Sequence, residues 1–240
     1  MRLLCGWSLA LLGSLLILLL SVDPGRAVTR YRNSSPPASS PGVVIDNGTI
    51  MLGVNAEGHL NVRDAGPPSS GEGTTDVGLR FLPTGAEAIA PGCLCEGWGV
   101  GEMVLGISGT ASVDLPGGIT NMVLENFAAT ASTAVSTVNV GGIFRVVHDF
   151  HPSPATPLLY EVTVTIENIS EVPLLDVKYR RLMDWDIEPT AFAEFVTIDS
   201  GTAANLAFVT DNGFDSPDPL SPPQVDGGFS FGDRVDDGPR

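Results

Sequence analysis

The chain has 240 residues, with 12 Lys+Arg against 28 Asp+Glu, a formal net charge of −16. So few cations exclude nucleic acid as a default partner, because phosphate binding needs clustered positive charge. With 43% hydrophobic residues, 28 Gly and 19 Pro, the sequence is too apolar for a disordered tail and too rich in turn formers for a helical bundle.

In chain order, residues 1–27 read as a secretory signal peptide. Arg2 supplies a minimal positive n-region, Leu9 to Val22 a Leu-rich h-region, and Gly25-Arg26-Ala27 small residues at a cleavage site. The rival reading is an uncleaved anchor over Leu3 to Val22, since about 20 apolar residues span a bilayer. The Asp23-Pro24-Gly25 break favours cleavage, and no second apolar run follows to cross a membrane. Residues 28–42 form a Ser/Pro-rich linker without periodicity.

From 43 onward the text is short strands separated by turn signals. Val43 to Ile45, Asn47-Gly48 and Thr49 to Val54 spell a hairpin, with Asn-Gly offering the positive φ of a two-residue turn. Further strands are predicted at His59 to Val62, Val77 to Leu82, Met103 to Val113, Ile119 to Phe127, Ala131 to Val140 and Ile143 to Phe150. Ala128 to Ala134 is helical by propensity, but its Thr and Ser fit a strand or loop better. Leu159 to Glu167 alternates most cleanly, with Tyr160, Val162, Val164 and Ile166 on one face. A turn of hairpin length at Asn168 to Pro173 then leads to a returning strand, Leu175 to Ile187. Val177, Tyr179, Arg181, Met183, Trp185 and Ile187 share one face of it. Roughly a dozen strands predict an all-β, antiparallel β-sandwich over residues 43–210, at the larger end a supersandwich, with little helix apart from the signal peptide. Residues 211–240 form an acidic, Pro/Gly-rich, loop-like segment.

Several groups are candidate sites. Cys93 and Cys95 are the two cysteines left after signal cleavage. On a strand, i and i+2 sit about 6.5–7 Å apart, at the edge of disulfide reach, and flanking glycines let the chain curl. A disulfide is the first reading; a thiol pair or a zinc site, which needs two more ligands, stands behind it. Asp184, Asp186 and Glu188 point one way from an extended chain. The bland reading is an ion-pair lattice with Lys178 and Arg180. The sharper ones are calcium, which takes 6–8 oxygen ligands, and a catalytic carboxylate pair for glycoside hydrolysis. His148 and His151 fall on opposite faces of a straight strand and read as a hydrogen-bonded surface pair, and His59 is remote from both in sequence. Asp211 to Pro219 carries carboxylates at odd spacing but lacks the Gly and terminal Glu of an EF-hand, and reads as a solvated loop.

The strings Leu52-Gly53-Val54-Asn55, Gly58-His59-Leu60-Asn61-Val62, Gly78-Leu79-Arg80-Phe81-Leu82, Cys93-Leu94-Cys95-Glu96-Gly97-Trp98-Gly99 and Met183-Asp184-Trp185-Asp186-Ile187-Glu188-Pro189 together resemble a family of secreted bacterial proteins of uncharacterised function, often carrying C-terminal surface-sorting signals. The resemblance runs from about Val43 onward. It implies an exported, cell-envelope or extracellular β-protein, and it implies no activity and no catalytic residues. The chain stops at Arg240 without a sorting signal, which predicts a truncated piece. The reading that follows is a non-enzymatic secreted or cell-surface protein binding carbohydrate or a protein partner, with structural calcium at the acidic strand. The alternative is a carbohydrate-active enzyme using Asp184, Asp186 and Glu188.

Overall fold

The computed structural model describes residues 42–193 and 213–222, all within one compact unit of the chain. The expected signal peptide, nearly all of the linker and most of the acidic tail lie outside the described residues. Eleven strands are described: β1 (Val43–Asp46), β2 (Ile50–Val54), β3 (Leu79–Phe81), β4 (Ala86–Glu87), β5 (Glu96–Glu102), β6 (Ile107–Ser112), β7 (Met122–Ala129), β8 (Ala134–Val140), β9 (Phe144–Pro152), β10 (Tyr160–Asn168) and β11 (Val177–Met183). All pair antiparallel, and no helix occurs among the described residues.

The strands form three sheets in the orders β1-β2-β3-β4, β10-β9-β8-β7 and β11-β5-β6. β8 and β9 alternate strictly between buried and half-buried positions, as a sheet with one face in a core requires. That buried face meets both other sheets. Ala134 and Phe150 pack with Ile45, Leu52 and Val54 of the first sheet. Val138, Val140, Phe144 and Val146 pack with Trp98, Val100 and Ala111 of the third. The result is a sandwich in which the β10-β9-β8-β7 layer faces a layer assembled from the other two sheets.

The segment after β11 stitches those two sheets together. Asp184 N donates to Cys95 O at 2.9 Å, Asp186 N to Ala88 O at 2.9 Å and Glu188 N to Glu87 O at 2.9 Å. Residues 184–188 thus run from the end of β5 to β4 and cover what would be an open edge.

Four local expectations change. In the first hairpin only Gly48 takes a positive φ, +85°. Asn47 serves by its side chain instead, with Oδ1 accepting Thr49 N at 3.0 Å and Ile50 N at 2.8 Å. His59 to Val62 is not a strand but two isolated bridges, Val54 with Leu60 and Val62 with Val77. Residues 103–106 form a tight turn between β5 and β6, closed by Gly106 N on Glu102 O at 3.0 Å. The fourth change is topological: β10 and β11 are not a hairpin. β10 pairs with β9 from Tyr160 to Asn168, whereas β11 crosses to the other layer and pairs with β5, Arg181 opposite Trp98. β5 was invisible to pattern reading because Gly97, Gly99 and Gly101 take every second position and leave no alternation to detect.

Those glycines have a packing reason. A Cβ on Gly99 would stand 2.3 Å from Pro217 O and 3.0 Å from Pro219 Cδ, and one on Gly101 2.9 Å from Leu220 Cγ. Residues 213–222 are therefore pressed onto the bare face of β5 and are not a solvated loop. Arg180 holds them through Nη1 to Ser216 O at 2.8 Å and Nη2 to Ser221 O at 3.1 Å. Buried Asp215 lies 3.7 Å from the same guanidinium.

Candidate functional site

Asp184, Asp186 and Glu188 do share a face, but that face is buried, at 6%, 1% and 4% exposure. Lys178 and Arg180 do not neutralise them. Lys178 reaches Asp176 at 3.4 Å, and Arg180 goes to the tail. Glu188 uses both oxygens on nearby donors: Ser69 Oγ at 2.5 Å, Glu72 N at 2.6 Å, Glu87 N at 3.0 Å and Gly71 N at 3.1 Å. Burial works to raise its carboxyl, but these donors outweigh it and hold the group below the usual range. Asp184 lies with Oδ2 3.4 Å from Cys93 Sγ, and a Cβ on Gly92 would come within 3.1 Å of Asp186 Oδ2. Among the described residues, no group of three or more His, Cys, Asp or Glu side chains is arranged to hold a metal ion. The three carboxylates are strung out along an extended segment about 6.5–7 Å per step, and Glu188 is consumed by backbone N–H groups.

A second buried carboxylate extends this network. Glu87, fully buried, takes Leu79 N at 2.7 Å and Arg80 Nε at 3.2 Å. Arg80, 2% exposed, spends its other donors on Pro67 O, Thr74 O and Asp76 O. Arg80 and Glu188 together shape the Pro/Gly/Ser loop at 67–76. Beside it runs a half-open groove of about 460 Å³, almost wholly apolar, lined by Leu79, Phe81, Ala88 and Ile187 together with Glu87 and Glu188.

Cys93 and Cys95 are joined by a disulfide with Cα atoms 5.2 Å apart. Gly92, at φ +76°, supplies the curl that brings them inside the spacing of a flat strand. Both pack with Leu115, Leu182 and Phe214.

The centre that pattern reading missed lies between the layers. His148, fully buried, packs with its ring tilted 51° against Trp98 at 4.4 Å between centroids, and its Nε2 sits 2.9 Å from Tyr179 Oη. It is no surface pair with His151, which faces outward to Asp149 and Glu161. The loop 55–61 closes over it. A Cβ on Gly58 would fall 2.8 Å from His148 Nδ1. Trp98 Nε1 donates to Glu57 O at 2.9 Å, Ser136 Oγ to Ala56 O at 2.6 Å, and Leu60 N to Glu96 Oε2 at 2.5 Å. Buried Glu96 pairs with Arg181 at 2.7 Å, and Arg181 lies 5.8 Å over the Phe150 ring. Burial and the Arg181 charge drive His59 down to about 3. Burial, Arg181 and His59 likewise push His148 well down. Burial raises Glu57, and it raises Glu96 against the opposing pull of Arg181 and Leu60 N–H. One sequence signal marked this centre: Arg181 is the single cation on the otherwise apolar face of β11.

At one end of the sandwich the surface turns apolar. Met103, Val104 and Leu105 in the β5–β6 turn are 43%, 66% and 47% exposed, and Val172, Leu175 and Val177 before and within β11 are 51%, 76% and 42% exposed. Glu102, itself buried, binds the two loops into one surface by accepting Leu105 N at 2.5 Å, Asp176 N at 3.0 Å and Leu175 N at 3.1 Å. Met103 N adds a bond to Asp176 O at 3.0 Å. The Asp176 and Leu105 N–H groups hold its carboxyl below the usual range.

Comparison with protein-family models, curated proteins and solved structures finds none that matches the chain.

Proposed function

We propose that this chain is an exported, non-enzymatic β-sandwich that binds a protein partner through the apolar end formed by residues 103–105 and 172–177. The observation that carries the reading is this end itself. Met103, Val104 and Leu105 stand exposed on the β5–β6 turn, and Leu175 and Val177 on the segment that the buried Glu102 carboxylate fastens to it, with Val172 exposed shortly before. Contiguous exposed apolar surface on a rigid base is the usual mark of a docking site. The exposed side chains are aliphatic, which favours a protein over a sugar that would stack on an aromatic ring. Export rests on the pattern of residues 1–27 and on the likeness to secreted bacterial proteins, and the Cys93–Cys95 bond suits an oxidising compartment. The non-enzymatic reading is supported by Glu188 and Glu87, whose oxygens are committed to protein donors. A general acid or base has to offer a proton or lone pair to its substrate.

A photo-crosslinking residue placed at Val104 tests the reading. A discrete protein adduct is expected on the producing cells, lost when Leu175→Asp is added and absent when the probe sits at Glu167 on the far sheet. No adduct, or binding to a glycan panel that survives Val104→Asp with Leu175→Asp, overturns it. Glycan hydrolysis by the native chain that Glu188→Gln abolishes without lowering Tm would instead establish the enzyme.

A further inference from the structure

The buried centre contains two histidines that fold into neutrality, and the loop that covers them has no regular strand to hold it. Residues 55–61 follow β2 and include the bridge residue Leu60, and Asn61 sits at φ +69°. The loop is fixed at four points: Ala56 O on Ser136 of β8, Glu57 O on Trp98 of β5, Leu60 N on Glu96 of β5, and Gly58 against the His148 ring of β9. Asn55 Nδ2 closes it internally on Leu60 O at 2.8 Å and Asn61 O at 3.1 Å.

We infer that loop 55–61 is an acid-sensitive latch, in which protonation of His59 and His148 expels the loop from between the two layers. The charged and titratable groups facing the pair come from every packed element: Glu57 in the loop, Glu96 on β5, and Tyr179 and Arg181 on β11. Of these Arg181 is the fixed cation and is paired with Glu96, which leaves Glu57, whose charged form burial disfavours, to answer a second or third positive charge. Nδ1 of His59, Nδ1 of His148, Oε2 of Glu57 and both polar atoms of the Asn61 amide are buried without a hydrogen-bond partner. An imidazolium at either site would carry an Nδ1–H with no acceptor.

The direction follows from linkage. Both histidines bind protons more weakly in the closed state than the ordinary value of 6.5. Closure therefore contributes fully above about pH 6.5 and is lost as pH falls below it, by up to tenfold in the opening constant per pH unit for each histidine. Glu57 and Glu96 bind protons more tightly when closed and act the other way. Their opposition flattens the response at its acid end.

Amide hydrogen exchange on the full chain, expressed as protection factors at pH 7, 6 and 5, reads the latch directly. Residues 55–61 should lose protection by more than tenfold from pH 7 to 5 while β8 and β9 keep theirs. His148→Gln, which retains a donor toward Tyr179, and His59→Gln should each roughly halve the slope. Protection that stays flat over this range, or that falls as steeply in both variants as in the native chain, overturns the inference; so does loss of all strands together. Should a variant fail to fold, the imidazole proton shifts of the native chain decide. Both buried rings should stay neutral to below pH 5 while the loop is closed, and a ring titrating near 6.5 in the closed state refutes the latch.

Discussion

Gly99→Ala isolates the claim that residues 213–222 belong to the sandwich. The added methyl would lie 2.3 Å from Pro217 O and 3.1 Å from Pro217 C. These are backbone atoms, so no rotamer change relieves the clash, and the tail has to retreat by roughly an ångström to restore ordinary contact. Overpacking of this kind costs about 1–3 kcal/mol. Retreat also weakens the two Arg180 bonds to Ser216 O and Ser221 O, worth about 1 kcal/mol net in total, because the guanidinium keeps some access to water. The expected loss is about 2–4 kcal/mol, or roughly 5–15 °C in Tm for a domain of this size. Gly101→Ala meets Leu220 Cγ and Cδ2 and Ser108 Cβ at 2.9–3.0 Å, side-chain atoms that yield more readily than the Pro217 backbone, and should cost less. Urea melts with limited proteolysis of the C-terminal segment measure both effects. If Gly99→Ala melts within about a degree of the native chain with residues 213–222 still protected, the packing argument is wrong.

Two further substitutions examine the network beside the groove. Glu188→Ala strands the N–H groups of Gly71, Glu72 and Glu87 and the Ser69 hydroxyl and should destabilise by about 2–4 kcal/mol. Because its folded pKa lies below the ordinary 4.5, the native carboxylate contributes above pH 4.5 and loses that contribution as pH falls. Stability plotted against pH should therefore be flatter on the acid side in the variant; an unchanged acid limb in urea midpoints contradicts the assignment. Arg80→Lys replaces a guanidinium that spans Glu87, Pro67 O, Thr74 O and Asp76 O with a single ammonium. A loss of about 2–4 kcal/mol and faster cleavage within 67–76 are expected. A variant that melts like the native chain would show the fork to be dispensable.

Much of the strand content was legible because alternation is a local property. β8, β9 and β10 follow their apolar periods, since one face of each meets a core, and the curl at Pro91-Gly92-Cys93 foretold that two cysteines so close could bond. β5 escaped because its information is negative. Glycines at 99 and 101 are there for a segment more than a hundred residues away, and nothing nearby announces it, while Gly97 makes room for Ser112 and Leu115. The acidic strand was read correctly for its facing and wrongly for its surroundings. Alternation places Asp184, Asp186 and Glu188 on one side of the chain, but whether that side meets water, a cation or a row of backbone N–H groups depends on which loop folds over it.

By itself the sequence determined an all-β chain, its antiparallel hairpins, its acidity and the pairing of Cys93 with Cys95 as the leading reading, because periodicity, turn chemistry and short cysteine spacing act over a few residues. Only the tertiary structure decided that β11 leaves its apparent hairpin partner for β5, that His59 and His148 meet under one loop, and that Glu188 is spent inside the fold. Each of those is a contact between distant segments, set by which buried groups satisfy one another once water is excluded.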